Sequence, residues 1–557
     1  MPNAPNPVLI YYQDSYDAGR GDLRGRHSAG ESFLAAFLAQ TQEPEVFALC
    51  DGDAAHEQFQ RAISNCGRPL QPRAIERRNL DVLRRQAVVY LPDPRVAAEA
   101  RIRSFIGDHA YAVCGVTHTI CSKSVLDSVR DLAVAPVQSW DALICTSRSV
   151  HTALSTVLAN VEADLAVRVG ATRFTRPLMP IIPLGVHAER FTHSNDARSR
   201  WRQRLDLSDD TVAILFFGRL SVHSKASPFQ LAQAAEMAAG NTRKKLAIIW
   251  AGWFDSDFQR RAFMETAKSM APSVSFHHVD GRDPDVRFSI WSAGDIFCSL
   301  SDNIQESFGL TVVEAMAAAL PVVISNWNGY REIIQHGING ALIDTYLPDS
   351  SFADAAYRYA SDRDTYDRYI GAISQVCFVD VAQTAQWIAR FAEDVDLRQT
   401  FGANGRRAVA ENFDWKVVMP RYVELWQEQK ERILNARRDP SYVASRAWKI
   451  LDPAETFAGY PSHVLELETR LAAGPNFARW DALVTEPGIV VNARTLVSQP
   501  SFLRLRTFFA GERTTTVAQA LAVFPGGERA LVRRSIHWLI KIGLLQLVRD
   551  RETPPTT

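Results

Sequence analysis

Nothing in the 557-residue chain is apolar for long enough to cross a bilayer, since the longest apolar run is interrupted by Pro321. That speaks against a helical membrane span. An excess of one charge is equally lacking: 62 Lys and Arg face 62 Asp and Glu, so no general pull toward nucleic acid or membrane is expected. The seven cysteines are an odd number and include no Cys-x-x-Cys pair; most sit in apolar, strand-like segments (Cys50, Cys114, Cys145, Cys298). Buried reduced thiols of a cytosolic protein are therefore expected rather than a disulfide framework. The opening residues, Met1 to Pro7, lack the basic and apolar regions of a signal peptide, which adds to the cytoplasmic expectation. A Gly-x-Gly-x-x-Gly fingerprint is also missing after the first strand-like run, although the loop from Gln13 to Ser28 is rich in Gly and Arg.

What is present is an ordinary globular composition, 46% apolar and 22% charged, with a length that suggests about three to four domains. Short apolar runs recur at Val8 to Tyr12, Val46 to Cys50, Ala87 to Leu91, Tyr111 to Val116 and Ala142 to Thr146, with helical patterns between them. The first such helix is expected from Gly30 to about Gln40. Strands alternating with helices predict a parallel α/β sheet. The pattern restarts at Val212 to Phe217 and continues through Ala247 to Gly252, Val274 to His278, Ile296 to Leu300, Val322 to Ile324 and Ala341 to Ile343. After Pro440 it changes again. Three helical stretches, Phe502 to Ala510, Val517 to Phe524 and Glu528 to Ile542, precede a strand at Gly543 to Val548, which predicts a winged-helix-like appendage. Arg529, Arg533 and Arg534 lie on its last helix, yet protein contacts are expected of it rather than nucleic acid.

The stretch Ser299 to Ile324 carries the chemistry. Gly309 permits a close backbone approach, and Leu310 and Thr311 open a helix whose first amides have no internal partners. Free amides at the positive end of a helix make a phosphate site. Glu306 stands before that end and Glu314 about one turn inside it, so two carboxylates flank an anion site. They would repel the anion unless each holds something neutral, such as sugar hydroxyls. A ligand with phosphates between two polyols is a nucleotide sugar. After the strand at Val212 to Phe217, Arg219 and Lys225 supply two cations, enough to neutralise a diphosphate without metal. Asp51-Gly52-Asp53 reads either as a turn or as a metal-binding Asp-x-Asp; the turn is preferred, and no metal is expected. The arginines between Arg73 and Arg103 read either as a solvated face or as a surface toward anionic lipid.

Glu306-Ser-Phe-Gly309-Leu-x3-Glu314-Ala-Met-Ala resembles the retaining family-4 glycosyltransferases (glycosyl transferases group 1) of GT-B fold. The resemblance covers about Val8 to Ile433. It extends to Ile181 to Phe191, where His187 takes a position usually acidic, and to the closing stretch near Gln399 to Lys430. It implies two Rossmann-like domains facing across a cleft, 1–185 on the acceptor side and 186–400 on the donor side. Closing helices at 401–437 and an accessory region at 438–557 follow. By resemblance Glu306 and His118 are catalytic, with His118 lining the cleft near the reacting sugar. Arg219, Lys225, Gly309, Leu310, Thr311 and Glu314 would bind the donor. The implied enzyme moves a hexose-type sugar from a nucleotide-diphosphate sugar to a saccharide, lipid-linked or protein acceptor. It would need no cofactor and would retain the anomeric configuration. Polysaccharide or glycoconjugate synthesis, in the cytoplasm or at the inner face of the membrane, is the implied setting. The alternatives are another GT-B enzyme, an epimerase or a phosphorylase, or a non-catalytic scaffold that binds sugar nucleotides. Ala226 and Asn328 stand where the family commonly has Gly, so the loops around them are expected to differ.

Overall fold

The structure, a computed structural model, describes residues 6–12, 15–17, 25–225, 227–446, 451–511 and 514–548. Much of the Gly- and Arg-rich loop at 13–28, and Ala226, lie outside these residues. The chain divides into two compact units, Met1–Leu451 and Asp452–Thr557.

The first unit holds two parallel sheets. Strands β1 (Val8–Tyr11), β2 (Glu45–Cys50), β3 (Gln71–Ala74), β4 (Val88–Tyr90), β5 (Ala112–Val116) and β6 (Ala142–Ile144) form a six-stranded sheet in the order 3-2-1-4-5-6. Strands β7 (Thr211–Phe217), β8 (Lys245–Ala251), β9 (Ser275–Val279), β10 (Ile296–Ser299), β11 (Val322–Ser325) and β12 (Ala341–Ile343) form a second, ordered 12-11-10-7-8-9. All strand pairs in both are parallel. Parallel strands are covered on both faces, which is why most of them read as continuous apolar runs. The exceptions are two edge strands: β9, Ser-Phe-His-His-Val, which is mostly half-buried, and β3, Gln-Pro-Arg-Ala, which has no apolar signal at all. In each sheet the order reverses beside the first strand, so the loops after β7 and β10 diverge from a switch point, where open α/β sheets bind ligands.

The first helix begins at Gly25, before the expected Gly30. Gly30 lies inside it because the Ser15 carbonyl oxygen would be 1.9 Å from any Cβ there. Near the end of the unit, Val186 N–H donates to the Phe413 carbonyl and Trp415 N–H to the Val186 carbonyl, at 2.9 and 3.1 Å. This short bridge turns the helix Trp415–Ala436 back onto the first sheet. Trp415, Val418, Met419, Tyr422, Leu425, Trp426 and Ile433 bury there against β1, β4 and β5. At about 2 kcal/mol per large apolar side chain, that contact contributes on the order of 10 kcal/mol before entropy is counted. Among the described residues, no helix is long and apolar enough to cross a membrane.

The second unit, described by itself, has helices at Gln499–Gly511, Val517–Ala522 and Arg529–Lys541 and a strand at Leu545–Leu547, as its sequence predicts. Arg470–Ala473, not predicted, is the middle strand of a three-stranded antiparallel sheet, between Thr515–Thr516 and Leu545–Leu547. Its core holds Trp480, Leu505, Phe509, Val532, Ile536 and Leu539. Two of the arginines on the last helix are spent on backbone: Arg529 donates to the Phe524 carbonyl and Arg533 to the Leu465 carbonyl.

Candidate functional site

Loops leaving β7 and β10 at the same sheet edge build the site. After β10, the chain runs Leu300 to Phe308 and then opens the helix Leu310–Ala317. Gly309 has φ +106°, a conformation that costs a side-chain-bearing residue, and a Cβ there would stand 2.3 Å from the Tyr330 ring. Val312 and Val313 N–H return to the Gly309 carbonyl, so the Leu310 and Thr311 amides precede the helix's internal bonds. The helix stops because Ala319 takes a left-handed conformation (φ +60°) and Pro321 follows.

Glu306 is nearly buried, and its Oε2 accepts from Lys225 Nζ at 2.6 Å. Burial alone would raise this carboxyl; the Lys225 charge and bond, with the Ser307 and Phe308 amides, outweigh it and hold the group below its ordinary range. Arg219 is steered by Ser224, whose Oγ accepts from Nη2 at 2.7 Å. Glu314 differs. It accepts no hydrogen bond from the described residues, and burial pushes its carboxyl up to about 7, only partly offset by the Arg287 charge. One carboxylate is therefore charged and paired, and the other is half-buried and waiting for donors.

Four residues fix the segment around Glu306, and of these the sequence singled out Asn328 alone. Asn303 Oδ1 accepts from the Gln305 and Glu306 amides at 3.0 and 3.3 Å. Asn328 Nδ2 donates to the Glu306 carbonyl at 2.8 Å, so the residue standing in place of a family glycine has work of its own. From the other sheet, Thr119 Oγ1 donates to the Gln305 carbonyl at 3.2 Å and Ser147 Oγ to the Ser307 carbonyl at 2.9 Å. Only the Asn328-Gly329 turn carried a sequence signal, since isolated hydroxyls and amides have no periodicity.

His118 precedes Thr119 at the end of β5, so the Thr119 bond brings that strand end to the Glu306 loop. Its Nε2 bonds the Pro92 carbonyl at 3.1 Å, which places the hydrogen on Nε2 and leaves Nδ1 as acceptor. Burial lowers its pKa, opposed by the Pro92 bond, and keeps the ring neutral near pH 7. His187, at the usually acidic position, bonds the Ser32 carbonyl and has no part in this loop. Asp51 and Asp53 flank Gly52 (φ +84°) where the helix Asp53–Ser64 opens. Among the described residues, no group of three His, Cys, Asp or Glu is placed to hold a metal. A cavity of about 760 Å³ lies beside the loop; Phe308, Glu332, Arg407 and Arg421 are in its lining, and Lys225, Glu306 and Glu314 are not.

Of the arginines between Arg73 and Arg103, Arg77 pairs with Glu99, Arg78 with Glu76, Arg95 with Asp93 and Arg101 with Asp131. Arg103 is fully buried on Asp141 at 2.5 Å. That favours the solvated and structural reading for most of them.

Residues 197–376, which include β7 to β12, match the family described as glycosyl transferases group 1. Among curated proteins, the D-inositol 3-phosphate glycosyltransferase of Corynebacterium jeikeium is 27% identical over 226 residues, 40% of this chain and 52% of the relative. That of Corynebacterium glutamicum is 26% identical over 277 residues, 50% of this chain and 63% of the relative. The chain thus spans about half of the length of the curated relatives it matches, and less than two-thirds of either of these two. Among solved structures, Anabaena HepE in complex with UDP aligns at 17% identity over 77% of this chain and 100% of that one, with TM-score 0.46. The family match thus lies over the part of the chain that carries the second sheet with Lys225, Glu306 and Glu314, and it is to the glycosyl transferases group 1 that this part of the chain is similar.

Proposed function

We propose that the chain is a retaining glycosyltransferase that moves a hexose-type sugar from a nucleotide-diphosphate sugar to a hydroxyl acceptor. The observation that carries this reading is the Lys225–Glu306 pair at 2.6 Å, set before the amide end of a helix that starts on Gly309. A cation and free amides suit a diphosphate; the carboxylates on either side suit polyols. Glu306 holds hydroxyls of the donor sugar and Glu314 those of the ribose. Arg219, Lys225 and the amides of Gly309 to Thr311 stabilise the diphosphate as it leaves, a preorganised field for developing charge. His118 lines the acceptor side. The bond from the anomeric carbon to the phosphate oxygen breaks while a bond to the acceptor oxygen forms on the same face. The departing phosphate takes the acceptor's proton, so no protein base and no metal is required.

The same reading divides the chain into an acceptor-side domain at 1–185, a donor domain at 186–400, closing helices at 401–437 and a winged-helix-like accessory region at 438–557. The accessory region serves protein contacts. The enzyme acts in the cytoplasm on a saccharide, lipid-linked or protein acceptor. A thermal-shift panel of UDP- and GDP-linked hexoses tests the reading, because a ligand bound only by the native state raises the melting temperature. A donor that raises it and is slowly hydrolysed supports the proposal. A panel without effect contradicts it.

A further inference from the structure

Every backbone carbonyl from Gln305 to Ser307 has a named side-chain partner, and the partners come from two different places. Asn328 takes the middle one, on Glu306, and belongs to the second sheet's own loops. The outer two, on Gln305 and Ser307, are taken by Thr119 and Ser147 at 3.2 and 2.9 Å. Thr119 follows β5 and Ser147 follows β6, neighbouring parallel strands of the first sheet, so both hydroxyls leave one rigid edge. The bonds from Asn303 and Asn328 persist whatever the first sheet does. Those from Thr119 and Ser147 exist only while the two sheets are closed on each other.

We propose, resting on the glycosyltransferase reading above, that Thr119 and Ser147 are positioning residues that set Glu306 for the donor sugar only in the closed arrangement. Ser307 is the link. Its carbonyl is held by Ser147 while its N–H donates to Glu306 Oε1 at 3.1 Å, so displacing Ser307 displaces a group that orients the carboxylate. Contacts farther out supply the closing strength. Glu332 Oε1 accepts from the Arg148 and Ser149 amides at 2.6 and 3.3 Å, and Lys123 reaches Tyr359 Oη, the Ala360 carbonyl and Asp362 at 3.1, 3.0 and 3.2 Å. Adhesion alone would not require hydroxyls on both flanks of one carboxylate. The open chain would still hold a diphosphate through Arg219, Lys225 and the helix amides, with Glu306 not yet set, and transfer to stray water would be suppressed.

The test uses the full-length chain and the nucleotide sugar that the wild type turns over. Thr119→Val keeps the shape and removes the donor; Thr119→Ser restores it. Turnover should fall about tenfold in Thr119→Val, the upper range for one lost hydrogen bond. Calorimetric affinity for the free nucleoside diphosphate should stay within about twofold, and Thr119→Ser should recover turnover. Ser147 also caps the helix Arg148–Val169, so Ser147→Ala should add a small loss of melting temperature that Ser147→Thr avoids. Wild-type turnover in Thr119→Val, equal losses in Thr119→Val and Thr119→Ser, or a parallel loss of diphosphate affinity would each overturn the positioning role while leaving the enzyme reading intact. A wild type that neither binds nor turns over any nucleotide sugar would overturn both.

Discussion

Glu314 gives the most direct handle at the scale of single residues. Its carboxyl is raised to about 7 by burial, so the folded chain binds its proton more tightly than the unfolded one. Stability contributed by the neutral form is therefore present at low pH and lost as pH rises through about 7. Glu314→Gln should melt higher than wild type at pH 8 and about equally at pH 5. Ribose hydroxyls favour the charged form, so diphosphate affinity should tighten across neutrality in wild type beyond any change seen in Glu314→Gln. Titrating both proteins by calorimetry checks this, and identical pH profiles would count against the assignment. Glu306 has the opposite sign. Its lowered carboxyl contributes stability above the ordinary Glu range, lost as pH falls through the folded value. Lys225→Ala removes its partner and should cost mainly turnover, with a loss of stability because a buried charge is left alone. EDTA should leave turnover in place. Loss on chelation, restored by Mn²⁺, would move attention to Asp51 and Asp53. Lys225 and Glu306 were legible singly from their motifs, but their pairing was not, because 81 residues separate them. Thr119 and Ser147 were not legible at all, since their partners lie 186 and 160 residues away.

Among elements, the helix Leu310–Ala317 depends on its first residue outside. Gly309→Ala would force a Cβ toward the Tyr330 ring and a costly φ, losing on the order of 1–3 kcal/mol. Chemical denaturation should show that loss together with weaker diphosphate binding; an Ala variant as stable and as tight as wild type would mean the turn is less constrained than described. The strands were readable because parallel sheets bury both faces, and the apolar runs at Ala142 and Val212 became β6 and β7 within a residue at their starts. Polar edges were not. The strand β3 has no apolar run, and Arg470–Ala473 is ordered by antiparallel partners at Thr515 and Leu547 that no local pattern announces. The helix Gly25–Gln40 starts early because Gly30, which looks like a boundary in sequence, serves close packing against Ser15.

For the whole molecule, the position of a truncation matters. Tyr442 donates to Asp108 at 2.7 Å and packs on His109 and Trp140, so the chain just after the helix Trp415–Ala436 still belongs to the first sheet's surface. Ending the chain after Leu451 should leave melting of the first unit and donor binding unchanged. Ending it before Ser441 should lower the melting temperature, by the equivalent of about 1–3 kcal/mol for the buried acceptor left unpaired. Equal melting of the two truncations would contradict that description. The central claim is same-face transfer of a sugar from a nucleotide donor, with Glu306 on the sugar and Glu314 on the nucleoside. It is tested most directly by following slow donor hydrolysis by proton NMR, before mutarotation, in wild type, Glu306→Gln and Glu314→Ala. The account predicts that the first sugar released keeps the donor's anomeric configuration. It also predicts that Glu306→Gln slows release at saturating donor with diphosphate affinity unchanged, and that Glu314→Ala weakens that affinity. An inverted first product, or two variants that lose diphosphate affinity equally with turnover at saturation unaltered, would contradict it.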